Sequence, residues 1–104
     1  MFNKNTFITK GINEKLNEFI IAFLWNLVLD TKERKLDYLQ IFELENVGTK
    51  KEPLLKITWK QEQPEHLEIC YLKGMYTDVK RVWVICSGEG TDEEYSTMLL
   101  PEEY

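Results

Sequence analysis

One histidine, two cysteines and a scatter of carboxylates are what this 104-residue chain offers for chemistry. His66 and Cys70 would share one face if their segment were helical, with Cys86 as a third ligand candidate. Structural zinc takes four ligands in paired short spacings, and neither C-x-x-C nor H-x-x-x-H occurs. A Ser-His-Asp arrangement would need His66 beside Ser87 or Ser96, but G-x-S-x-G is missing and SGEG places its serine before the glycines. The same GEG lacks the lysine and hydroxyl of a phosphate loop and is ringed by carboxylates that repel anions. No catalytic residue, metal or cofactor is therefore expected.

The carboxylates themselves are unevenly placed. Net charge is −5, nothing after Arg81 is basic, and Glu89, Asp92, Glu93, Glu94, Glu102 and Glu103 supply six negative charges there. Glu89, Asp92, Glu93 and Glu94 form a candidate acidic patch. Paired carboxylates work as general acid and base only where a pocket separates their pKa values, which a polar loop does not offer. Imitation of DNA would need charge spread along a surface rather than two tight clusters, so it ranks third among the functions considered. A pI near 4.9 excludes nucleic acid as the expected partner and disfavours an anionic membrane.

Positioning such groups falls to the elements that sequence pattern predicts. Thr6 to Thr9 reads as a short strand. Asn13 then serves as the expected N-cap of a long helix reaching Arg34, in which Leu16, Phe19, Ile20, Phe23, Leu24 and Leu27 share one face. Lys32, Arg34 and Lys35 suit its negative end. YLQIFELEN reads as a strand from Tyr38 to Glu45, and LLKITWKQE alternates apolar and polar residues as a half-solvated antiparallel strand does, so the two form a hairpin. HLEICYL and VKRVWVICS suggest a second hairpin with Leu72 facing Val79, Ile69 facing Val82 and Leu67 facing Val84, an apolar face that includes Tyr71. The bracketing Pro64 and Gly74 leave a short helix open as the alternative for PEHLEICYLKG. In the hairpin register the two cysteines stand roughly 16 Å apart, beyond disulfide reach, and should be free thiols. YSTMLL is a final strand and PEEY a tail. The fold class is α+β in a single domain, 1–104: one long apolar N-terminal helix on a mostly antiparallel, curved sheet of five to six strands.

FITKGIN, FLWNL, YLQIFEL and STMLLPEEY resemble, over nearly the whole chain, the bacterial family catalogued as domain of unknown function 960, from low-GC Gram-positive bacteria and their mobile elements. The resemblance implies a small bacterial cytoplasmic protein and brings no catalytic or binding residue with it. A cytoplasmic location is also expected from Met1 to Lys10, which lack the apolar core of a secretory signal.

Phe19 to Leu29 holds ten apolar residues in eleven, with Asn26 the polar one. A stretch of that length is too short to span a bilayer, which takes roughly 17 to 25 residues. A single sheet covers one side of a helix, so Ile21, Trp25, Val28 and Leu29 extend the apolar surface beyond it. Ile21, Trp25 and Leu29 are thus candidate interface residues, joined by Trp83, which the hairpin register places with Glu68, Arg81 and His66. The expected function is a non-enzymatic interaction or accessory module with a protein partner or a second copy, a candidate homodimer. A small-molecule binder or enzyme with an aromatic pocket between helix and sheet is the second expectation. Trp59 is expected in the core.

Overall fold

The computed structural model describes residues 5–30, 37–88 and 91–104. Six strands form one sheet in the order β1-β6-β5-β2-β3-β4, with β1 Asn5–Ile8, β2 Leu39–Asn46, β3 Leu54–Gln61, β4 His66–Lys73, β5 Arg81–Ser87 and β6 Tyr95–Leu99. β1 runs parallel to β6 and the other pairings are antiparallel. β2, β3 and β4 make a meander and β5 returns beside β2, which is the Greek-key arrangement. The α+β class is thus as expected.

The long helix is two helices. α1 spans Lys10–Lys15 and α2 spans Glu18–Leu29, separated at Leu16, whose backbone is extended at φ −112° and ψ 134°. Thr9 and Asn17, not Asn13, are the caps: Thr9 Oγ1 accepts from the Ile12 N–H, and Asn17 Oδ1 accepts from the Phe19 N–H at 2.7 Å. An Asn side chain that satisfies an orphan helix donor competes with continuation of the preceding helix, so the chain stops and restarts there. The stretch from Thr31 towards Arg34 lies outside the described residues.

The buried stripe also differs from the expected one. Ile20, Leu24 and Val28, spaced by four, face the sheet together with Ile12 and Leu16. Phe19, expected inside, is 65% exposed. The sheet contributes Phe42, Leu44, Leu55, Ile57, Trp59, Val82, Val84, Cys86 and Met98 to the same core. Phe42 and Trp59 stack with ring centroids 5.8 Å apart. Helices on one face and a 21 Å smallest dimension describe two layers, so the sheet does not enclose α2.

The second hairpin does not form. β4 pairs with β3 at the sheet edge and β5 pairs with β2, so Leu72 faces Leu55 and Val82 faces Phe42. The connecting segment is pinned across the end of β2. Asn46 Nδ2 donates to the Thr77 carbonyl at 2.7 Å, the Thr77 N–H donates back to Asn46 Oδ1, and the Leu44 N–H reaches the Lys80 carbonyl at 2.8 Å. Segment 64–74 carries β4 rather than a helix.

Candidate interaction surface

Strand register sorts side chains between the helix-covered face and the open one. Alternation places Leu67, Ile69 and Tyr71 of β4, Lys56, Thr58 and Lys60 of β3, Ile41 and Glu43 of β2, and Arg81, Trp83 and Ile85 of β5 on the open face. Leu67, Ile69 and Tyr71 are 54%, 49% and 54% exposed. The expected apolar face joining Leu67, Ile69, Tyr71 and Leu72 is split, because the hairpin behind it is absent: Leu72 turns to the core side with Cys70.

Trp83 sits half-buried on this face beside Ile41, and its ring meets Tyr104 edge-on at 5.8 Å. A groove of about 570 Å³ runs between Trp83, Ile41 and Leu67, with Arg81, Lys60 and His66 on its rim opposed by Glu43, Glu62 and Glu65. Lys60 Nζ lies 2.8 Å from Glu43 Oε1. Mixed charge around an apolar floor suits a protein surface better than a single anion. Of the three neighbours expected for Trp83, Arg81 shares its face, while Glu68 and His66 have the opposite parity on β4, across from Trp59 and Gln61.

The remaining expected site residues scatter. Ile21, Trp25 and Leu29 line one flank of α2, half-buried against the core. Asp92 and Glu93 are exposed, but Glu94 is 5% exposed, and Glu89 lies outside the described residues. The acidic patch is consequently not a set of four solvated charges.

Nor do His66 and Ser96 converge. β4 and β6 are four strand spacings apart, about 19 Å, which separates His66 from Ser96. His66 Nε2 instead lies 3.6 Å from Glu68 Oε1. Three strand spacings, about 14 Å, separate the strands of Cys70 and Cys86; both thiols are free, as expected, though for a different geometric reason. Burial, then the Glu68 carboxylate, pushes the Cys70 thiol up. Among the described residues no three His, Cys, Asp or Glu side chains are placed to hold a metal ion, and no helix is long and apolar enough to cross a membrane.

Two features were missed by sequence reasoning. A wider groove of about 780 Å³ is lined by Lys15, Lys80, Arg81, Asp78, Leu100 and Pro101, among others. Beside it, Glu103 ties the chain ends together: its carboxylate accepts from Thr9 Oγ1 at 2.6 Å, from the Gly11 N–H at 3.0 Å and from the Leu100 N–H at 2.9 Å. The Thr9 hydroxyl foremost, then the Leu100 N–H, holds that carboxyl below its usual range. FITKG and STMLLPEE, far apart in sequence, are thereby neighbours, since β1 and β6 also pair. The pattern T-K-G at a helix start with a Glu at the other end of the chain carried the signal only once pairing was known.

These features define a small α+β domain with α1 and α2 on one face of a mixed sheet and, among the described residues, a mixed apolar and charged opposite face. The chain belongs to the family described as staphylococcal protein of unknown function (DUF960), whose profile matches residues 5–103. Its fold is similar to that of a protein of unknown function from Enterococcus faecalis, solved by crystallography, at TM-score 0.78 and 22% identity over 99% of this chain and 94% of that one. No match was found among curated proteins.

Proposed function

We propose that this protein is a non-enzymatic interaction module that receives a protein partner on the open face of its sheet, with the Ile21, Trp25 and Leu29 flank of α2 as a secondary contact. The observation that carries this reading is two apolar groups, Ile41 with Trp83 and Leu67 with Ile69 and Tyr71, on either side of the polar row Lys56, Thr58 and Lys60, on a face that neither α1 nor α2 covers. Exposed apolar side chains interleaved with charged ones are a common make-up of protein contacts. The space between α2 and the sheet, where a small molecule was the alternative expectation, is filled by Ile20, Leu24, Val28, Phe42 and Trp59.

Ile41→Glu tests it, because the new carboxylate would sit beside Lys60 and Trp83 and leave the core untouched. Capture from a native cell extract should be lost with Ile41→Glu and kept with Ala22→Glu on the exposed side of α2. Equal capture by both variants would overturn the reading, as would a metabolite that raises the melting temperature by mass action and is displaced by Ile41→Glu.

A further inference from the structure

β4 is an eight-residue strand that, among the described residues, pairs on one side alone. Proteins commonly blunt such an edge with proline, a bulge or clustered lysine. Residues 66–73 hold no proline or glycine and a single lysine, Lys73, at the end. Which backbone groups face outwards follows from the ladder. The Gly74 N–H donates to the Pro53 carbonyl directly opposite, so bonding to β3 alternates through Leu72, Cys70, Glu68 and His66. The N–H and C=O groups of Leu67, Ile69, Tyr71 and Lys73 therefore point to the free edge, and the first three of these carry exposed apolar side chains.

We propose that the free edge of β4 binds a second copy of this chain, antiparallel about a two-fold axis at Ile69, extending the sheet across both copies. This inference rests on the reading of the protein as an interaction module and names one of its partners. A two-fold axis normal to the sheet keeps open face on open face, so a residue can oppose only residues of its own parity. Centring the axis on Ile69 sets Ile69 against its own copy and Leu67 against Tyr71 of the second copy. The strand ends then bring Glu65 opposite Lys73 of the second copy, twice by symmetry, which places opposite charges together. On the helix side, Glu68 meets Cys70 and His66 meets Leu72, so no like charges are opposed. A one-step shift to an axis at Cys70 loses this match, putting Lys73 opposite Leu67.

The test exploits the self-opposed position. Ile69 is 49% exposed and its N–H is not used by β3, so charge there leaves the monomer folded, as a thermal melt checks. Light scattering of the wild type over a concentration series should reach the mass of two chains. Ile69→Lys and Ile69→Glu should each raise the dissociation constant about tenfold or more, because each opposes its own charge. An equimolar mixture of the two should restore the two-chain mass. Glu68→Cys should also form a covalent dimer through Cys70 on mild oxidation, in a directly opposed pair within disulfide reach. A wild type that stays monomeric at all concentrations overturns the proposal. So does a dimer indifferent to either charge or a mixture that stays monomeric. A monomer would leave the open-face reading standing, since Ile41→Glu tests that surface separately.

Discussion

Replacing Trp59 with Phe should cost about 3 kcal/mol of stability, a figure that follows from one buried hydrogen-bond chain. The Trp59 Nε1–H donates to Gln40 Oε1 at 2.6 Å, and Gln40 is fully buried. Gln40 cannot turn its amide to compensate. Its Nε2 already donates to the Asp37 carbonyl at 2.8 Å and to Gln61 Oε1 at 3.0 Å, both acceptors, and Gln61 Nε2 donates onward to the Pro64 carbonyl at 2.8 Å. Phe would therefore strand Gln40 Oε1 away from water, at about 1–3 kcal/mol. The smaller ring also gives up three ring atoms of burial, worth about 2 kcal/mol at the rate for methylene-sized groups. Stacking on Phe42 is retained and adds no loss, so about 3 kcal/mol is the lower end of the sum. Urea unfolding followed by Trp25 and Trp83 fluorescence should show the midpoint falling by roughly 1 M or more with the slope unchanged. A loss under about 1 kcal/mol with an unchanged slope would refute the reasoning, because an orphaned buried acceptor cannot be that cheap. The chain of amides matters for the surface too, since it locks β2 to β3 and so sets Ile41 beside Lys60.

Glu103→Gln should lower the melting temperature at neutral pH, because a neutral amide accepts more weakly from Thr9 and Leu100. The Glu103 carboxyl titrates lower in the folded chain than in the unfolded one, so its stabilisation is present above the unfolded value. That contribution fades as pH falls through the lowered folded value; melts across acid pH should show wild type and variant converging there. Trp25→Glu should leave a folded chain with a reduced midpoint, since Trp25 is half-buried on the flank of α2. Partner capture lost in that variant while Ile41→Glu still binds would move the contact from sheet to helix. Gly74→Ala should cost about 1 kcal/mol or slightly more in a urea titration, because Gly74 holds φ +76° with no neighbour for a Cβ to strike.

Alternation in LLKITWKQ announced which side chains of β3 face the core, and Trp59 is there at 3% exposure. What alternation does not encode is the neighbour. Leu67, Ile69 and Tyr71 match an antiparallel partner of either β3 or β5, and the choice was made by Asn46 holding Thr77 and by the edge position of β4. Helix periodicity likewise survived the break at Leu16, because the side-chain pattern on either side of Asn17 remains nearly in phase while the backbone does not. The open face was legible as aromatic and branched residues but not as exposed ones, since exposure depended on the pairing. Glu103 looked like one more solvated tail carboxylate until β1 and β6 brought Thr9 and Gly11 beside it.

The open face of the sheet is the proposed seat of a protein partner. Thr58 lies at its middle, opposite Glu43 on one side and Ile69 on the other. A photoreactive amino acid at position 58, activated in the native cell, should give a discrete covalent adduct of higher mass, while the same group at Ala22 on the outer side of α2 should give none. No adduct at position 58, or the same adducts at both positions, would contradict the account.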